Sequence, residues 1–236
     1  MRMTASLDKS RTPEMFSRIA RRYDLLNRLL SLNIDRSWRR RLVERSGLSI
    51  GGRVLDVCAG TGDVAFAFAR HSEPAEIVCV DLSREMLAIG EEKARRRGLY
   101  GRVRFVEGDA LRLPFDDRRF DAVSIAFGLR NLPDYPAGVS EMRRVLAPGG
   151  RLLVLEFAPP SRDLYRRGYS FYLGRLVPFV GGVVSGSREA YEYLASSVGD
   201  FLAGEKVIEL FEKAGLKNAS ATPMTGGIVY LYTGER

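Results

Sequence analysis

From Arg53 onward the chain repeats one unit: a short apolar run, a turn marked by glycine or proline, and an amphipathic stretch of helical length. Residues 53–59 (Arg-Val-Leu-Asp-Val-Cys-Ala) end in a glycine turn, and residues 63–70 place Val64, Ala65 and Phe68 at helical spacing. Residues 76–81 form the second apolar run. Residues 83–97 form the second helix, with Ser83 as its N-cap and Gly98 as its stop. Further strands are predicted at 103–109, at 120–126 after a loop holding Pro114, and at 151–157. The helix 135–146 lies between the last two and stops at Pro148-Gly149-Gly150. Strands alternating with helices in this way predict an α/β chain with a doubly wound, mostly parallel sheet. After a helix at 206–214, residues 219–224 and 228–233 flank Thr225-Gly226-Gly227 as a terminal antiparallel hairpin, which brings the sheet to seven strands.

Two segments break the rhythm. Residues 1–50 read as a basic helical cap, with Phe16, Ile19, Ala20, Tyr23, Leu26 and Leu29 near one stripe and a second helix carrying Trp38. Residues 158–204 form an insertion within the 51–236 domain, rich in Tyr and Phe, and are expected to make a lid with helices of its own. Cys58 and Cys79 sit inside apolar runs and read as small buried hydrophobes. Two Cys and one His are too few for a structural zinc site, and no metal is expected. Residues 1–11 are polar and lack the apolar segment of a signal peptide, and no stretch approaches the ~18 apolar residues of a membrane span. The expected compartment is the cytosol.

The glycine turn Gly60-Thr61-Gly62 lies where an apolar strand meets a helix, and in an open parallel sheet ligands bind beyond the carboxyl ends of strands. Nucleotide, flavin and methyl-donor cofactors all use such a turn. Asp63 at the helix start puts a carboxylate where a diphosphate would lie, which favours a cationic ligand such as S-adenosylmethionine. Asp81, nineteen residues after Gly62, ends the second strand and is placed to accept the ribose hydroxyls, with Leu82 next to it. Asp109 and Ala110 are placed to meet the adenine; the alternative for Asp109 is an Asx turn. Asp56 reads either as a cofactor ligand or as a structural acceptor for the glycine loop.

These residues resemble a class I S-adenosylmethionine-dependent methyltransferase, and more narrowly the ubiquinone/menaquinone biosynthesis C-methyltransferase family. The resemblance runs through residues 16–24, 38–40 and 54–63, Phe127-Gly128-Leu129-Arg130-Asn131, residues 149–157, Tyr191-Glu192-Tyr193-Leu194 and residues 225–229. It implies a Rossmann-like fold and S-adenosylmethionine contacts at Gly60, Thr61, Gly62, Asp81, Asp109, Ala110 and Ala126. The family often has Gly-Gly-Thr-Gly where this chain has Cys58-Ala59-Gly60-Thr61-Gly62, and it often has Asn at Asp109 and Ser at Ala126.

The resemblance also implies a demethylated polyprenyl quinol as substrate. A ring phenolate is a better carbon nucleophile than the neutral quinol, and a nearby cation favours the charged form. Arg130, in the loop after the fourth strand, is the expected polarising group, with Asn131 orienting the ring; the alternative pairs Arg130 with Asp134 or a helix end. Tyr23, Asp24, Tyr169 and Tyr191 are candidates for the pocket wall, and His71 lies at the amino edge, away from it. The apolar stretch 165–185 suits a prenyl tail, but suits a lid core or a homodimer surface as well.

A net charge of +8 raises RNA as a second substrate class. The arginines are scattered, no RNA-binding motif is found, and Ala126-Phe127-Gly128-Leu129 stands where base N-methylating enzymes carry N-P-P-[YF], so no nucleic acid is expected. Arg36, Arg39, Arg40, Arg41 and Arg45 beside Trp38 suit peripheral contact with the anionic inner face of the plasma membrane, or else a solvated helix face. A catalytically silent S-adenosylmethionine-binding partner stays open, because a sheet fixes binding and not turnover.

Overall fold

The computed structural model describes residues 12–158, 193, 196–199 and 201–236. Among them seven strands form one sheet: β1 (Arg53–Val57), β2 (Glu76–Asp81), β3 (Val103–Glu107), β4 (Phe120–Ala126), β5 (Leu146–Phe157), β6 (Lys217–Met224) and β7 (Val229–Glu235). Their order is β3-β2-β1-β4-β5-β7-β6. The first five run parallel, and β7 lies antiparallel between β5 and β6. The strand order reverses beside β1, so a crevice opens at the carboxyl ends of β1 and β4, where such sheets bind ligands.

Both faces of the sheet are covered, and the period-two pleat sorts the side chains between them. Leu55, Val57, Val80, Val123 and Val154 share one core with α5 (Tyr135–Val145) and α6 (Glu205–Lys213). Val54, Ile77, Cys79, Ala122 and Leu153 share the other with α2 (Asp35–Ser46) and α3 (Asp63–His71). Each Val, Leu or Ile side chain among them, taken fully out of water, contributes about 1.5–3 kcal/mol. The second helix of the cap is therefore part of the core: Trp38, Leu42 and Val43 are buried, and the Trp38 indole donates to Thr225 Oγ1 at 2.8 Å.

Helix boundaries follow local chemistry. Ser83 accepts from Met86 N at 3.2 Å and opens α4 (Arg84–Arg96), and Gly98 follows its end at φ +67°. The strand β1 stops at Val57, two residues short of the expected end, because Cys58 turns to φ +52°. Leu146 pairs with Phe120 and so belongs to β5, not to the helix; the register then shifts through Pro148-Gly149-Gly150 before Arg151 meets Ala122. The terminal hairpin turns through a single 3-10 turn, Thr225–Gly227.

The helix α1 (Thr12–Leu30) lies along α4, where Ser17 Oγ meets Ser83 Oγ at 2.8 Å and donates to Glu85 at 2.7 Å. Of its expected apolar stripe, Ile19 and Ala20 are buried, and the side chains of Phe16, Tyr23, Leu26 and Leu29 lie outside the described residues. The same holds for most of the expected lid, including Tyr169, Tyr191 and the apolar stretch 165–185.

Candidate active site

A cavity of about 200 Å³ opens at the carboxyl edge of the sheet. Gly60, Asp81, Leu82, Asp109, Ala110 and Ala126 all line it, so residues from the ends of four strands meet around one space. Gly60 and Gly62 turn through φ +55° and +81°, a region costly for residues with a Cβ. A Cβ on Gly62 would also stand 3.1 Å from the Phe105 ring. The Asp81 carboxylate ties this turn to β2, because Oδ2 accepts from Gly60 N at 2.8 Å and Oδ1 from Ser83 N at 2.9 Å. Each oxygen keeps a second lone pair for a hydroxyl. Burial raises the Asp81 pKa above the usual carboxylate range, against the pull of the backbone amides. Asp109 makes the Asx turn weighed for it, with Oδ1 accepting from Leu111 N at 2.9 Å, and it also lines the cavity.

Thr61 and Gly62 do not line the cavity. The Thr61 hydroxyl donates to Asp24 at 2.6 Å and accepts from Lys93 Nζ at 3.0 Å. Lys93 also reaches Asp24 at 2.7 Å and Asp63 at 2.6 Å, and Arg39 stands 3.6 Å from Asp63. This partly buried network clasps α1 to the glycine turn. It also corrects the charge argument built on Asp63: burial pushes its pKa up, yet Arg39 and Lys93 outweigh that and hold it low, so its charge is neutralised locally and does not face the cavity. Nor are Trp38 and Arg39 surface residues. Arg39 is 8% exposed and paired with Asp35 and Asp63, which leaves Arg36, Arg40, Arg41 and Arg45 on the solvent side of α2.

Arg130 and Asn131 sit in a 3-10 turn after β4, and their surroundings differ. Asn131 lines the cavity. Arg130 does not: its side chain is 4% exposed, Nη1 donates to Glu156 and to Phe127 O at 2.8 Å, and Nε has no acceptor among the described residues. The pair with Asp134 is not formed; Asp134 instead caps α5 by accepting from Ala137 N at 2.9 Å. The partner is Glu156, fully buried in β5, whose pKa burial raises against the pull of Arg130. Tyr23 lies on α1 with its side chain outside the described residues. His71 is exposed at the end of α3, away from the cavity as expected.

Asp56 accepts from Ser124 on β4 at 2.7 Å and makes no bond to the glycine loop; its other oxygen has no partner among the described residues, and burial raises its pKa to about 7. Cys79 is buried as expected, but Cys58 borders the cavity. Burial pushes both thiols up, so they stay protonated. The sequence reading missed Thr12, Met86 and Pro133 as wall residues; nothing in their local pattern marks them, since each arrives from a different element.

The wall carries two carboxylates, Asp81 and Asp109, and no cationic side chain among the described residues. A diphosphate would be opposed there, whereas a cationic nucleoside fits, with Leu82, Met86 and Leu111 as apolar surface for a flat base. S-adenosylmethionine is such a cationic nucleoside, and Asp81, Asp109 and Ala110 are wall residues that could hold it. Among the described residues no group of three or more His, Cys, Asp or Glu is arranged to hold a metal.

Known proteins match this architecture. A SAM-dependent methyltransferase from Aquifex aeolicus superposes with a TM-score of 0.60 at 19% identity, covering 84% of this chain and 88% of its own. The [4+2]-cyclase SpnF superposes with a TM-score of 0.65 at 19% identity, covering 97% and 96%, so the fold by itself does not select a reaction. In sequence, the chain is 47% identical over 222 residues to a demethylmenaquinone methyltransferase of Thermus thermophilus, covering 94% of this chain and all of that protein. It is 46% identical over 227 residues to a ubiquinone/menaquinone biosynthesis C-methyltransferase of Geobacter sulfurreducens, covering 96% and 88%. The sequence profile of the ubiE/COQ5 methyltransferase family matches residues 3–236, and with the carboxylate-lined crevice at the strand ends this makes the chain a member of the ubiE/COQ5 methyltransferase family.

Proposed function

We propose that the protein transfers a methyl group from S-adenosylmethionine to a ring carbon of a demethylated polyprenyl quinol in respiratory quinone biosynthesis. The observation that carries this reading is the cavity wall, with two carboxylates and no cationic side chain among its described residues, in a chain of this family. When bound, S-adenosylmethionine supplies a methyl group on a positively charged sulfur. The quinol ring carbon would take that methyl as the sulfur–methyl bond breaks, S-adenosylhomocysteine would leave, and the displaced ring proton would pass to water as aromaticity returns.

The chain's own residues bind and orient. Asp81 and Asp109 hold the nucleoside, and Asn131 is the polar wall residue beside the ring. Arg130 acts from behind the wall: with Glu156 and Phe127 O it braces the turn that carries Asn131, which makes it a positioning residue rather than one that touches the ring.

Contact with an anionic membrane holding the lipid substrate belongs to the same proposal. Arg36, Arg40, Arg41 and Arg45 are exposed on α2, and Leu32, 77% exposed, and Ile34 project from the turn before it. Among the described residues no helix is long and apolar enough to cross a membrane.

Incubation with methyl-labelled S-adenosylmethionine and either a reduced demethylated naphthoquinone, a reduced benzoquinone precursor, or RNA tests the reading. Label on a ring carbon of one or both quinols supports it and sorts the ring. Label in RNA alone, or in neither class, overturns it.

A further inference from the structure

Three segments far apart in sequence meet at the cavity through one phenol. Thr12, the first residue of α1, donates through Oγ1 to the Tyr193 hydroxyl at 3.2 Å, and Tyr193 donates to Oδ1 of Asn131 at 3.2 Å. Thr12 and Asn131 both line the cavity, whereas Tyr193 stands behind them. Asn131 Nδ2 reaches Phe127 O at 3.4 Å. Its second N–H has no acceptor among the described residues.

We propose that Tyr193 is a positioning residue for methyl transfer: by donating to Asn131 Oδ1 it fixes the side-chain amide so that nitrogen, not oxygen, is the group offered to a ring oxygen of the quinol. This rests on the quinol reading of the site. An amide turned by 180° exchanges a donor for an acceptor, and packing alone distinguishes the two poorly because N and O are nearly the same size. The chain of hydroxyls breaks that symmetry. Thr12 gives its proton to the phenol oxygen, so the single phenol proton goes to Asn131, and Oδ1 is held as the acceptor.

The consequence is chemical. A donor facing the ring oxygen stabilises its ionised form and lowers the ring hydroxyl pKa, whereas an acceptor would stabilise the neutral hydroxyl. The ionised ring is the stronger carbon nucleophile. Tyr193 therefore acts on the reaction through Asn131 without touching substrate.

The test uses the full chain with reduced quinol and S-adenosylmethionine across a range of pH. Y193F keeps the ring and removes the proton donor. Cofactor affinity by calorimetry is expected to stay within twofold, while kcat falls about tenfold near neutral pH, the effect of one lost hydrogen bond in the transition state. The acidic limb of kcat should move to higher pH, and the deficit should shrink as the medium ionises the ring. Because Tyr193 works through Asn131, Y193F/N131A should be no slower than N131A alone. T12A should show a smaller loss with the same displacement of the limb, and carries the test should Y193F melt early. Wild-type kcat in Y193F, a loss equal at every pH, or additive effects in the double variant each overturn the role of Tyr193. A wild-type chain that binds S-adenosylmethionine without methylating either quinol overturns the functional proposal, and this one with it.

Discussion

Replacing Asp56 by Asn should change how stability depends on pH. Asp56 lies in β1, 1% exposed, with one oxygen on the Ser124 hydroxyl and the other unpartnered among the described residues. Burial raises its pKa from 3.8 to about 7, against the opposing pull of Ser124 and Arg39. A carboxyl group whose folded pKa is raised contributes stability that is complete below 3.8, is lost as pH rises through 7, and is flat beyond that. At 1.36 kcal/mol per pH unit the full loss is about 4 kcal/mol, of which about 2.3 kcal/mol falls between pH 5 and pH 7 and about 0.4 kcal/mol above it. Asn does not titrate, and the other groups titrate in both proteins, so the stability difference between D56N and the parent isolates this residue. For a chain of this size about 2.3 kcal/mol corresponds to roughly 5–9 °C in Tm. Paired thermal melts at pH 5, 6, 7 and 8 should therefore show D56N gaining on the parent by that amount up to pH 7 and by only about 1–2 °C more at pH 8. A difference constant across the series would mean that Asp56 is ionised throughout, and the burial argument would be wrong.

Glu156→Ala leaves the Arg130 guanidinium buried without its carboxylate, a loss of about 3–5 kcal/mol that should lower Tm by roughly 6–20 °C; an unchanged melt would show that the pair does not brace the turn. Asp81→Ala removes the acceptor for Gly60 N and Ser83 N and the proposed ribose contact. S-adenosylmethionine affinity by calorimetry should fall about 10- to 150-fold with the circular dichroism spectrum preserved, and undiminished binding would place the nucleoside elsewhere. Lys93→Met unties Asp24 and Thr61, so amide exchange across α1 should quicken while the sheet keeps its protection; uniform protection would mean that α1 is held by packing alone.

How much of this was legible in the chain depends on how far apart the cooperating residues lie. Ser83 could be read as a cap because its partner, Met86 N, is three residues away, and Gly98 as a stop because its φ is a local matter. The glycine turn and Asp81 were likewise readable, since each sits at the end of an apolar run whose direction and burial the pattern itself reveals. Asp63 shows the limit. Its place at the start of α3 was plain, but its neutralisation by Lys93, thirty residues on, and by Arg39 was not.

Local pattern thus determined the strand–helix alternation, the parallel sheet and the edge at which the glycine turn and Asp81 lie, because period, caps and turns are properties of neighbours along the chain. Only the folded structure decided that Arg130 faces Glu156, that Asp56 meets Ser124, and that Tyr193 joins Thr12 to Asn131 across separations of 181 and 62 residues. Those pairings arise where sheet register and helix packing bring distant side chains together. A polar group in such a place takes whichever partner the packing leaves within reach, because to remain buried without one costs more than most single contacts contribute.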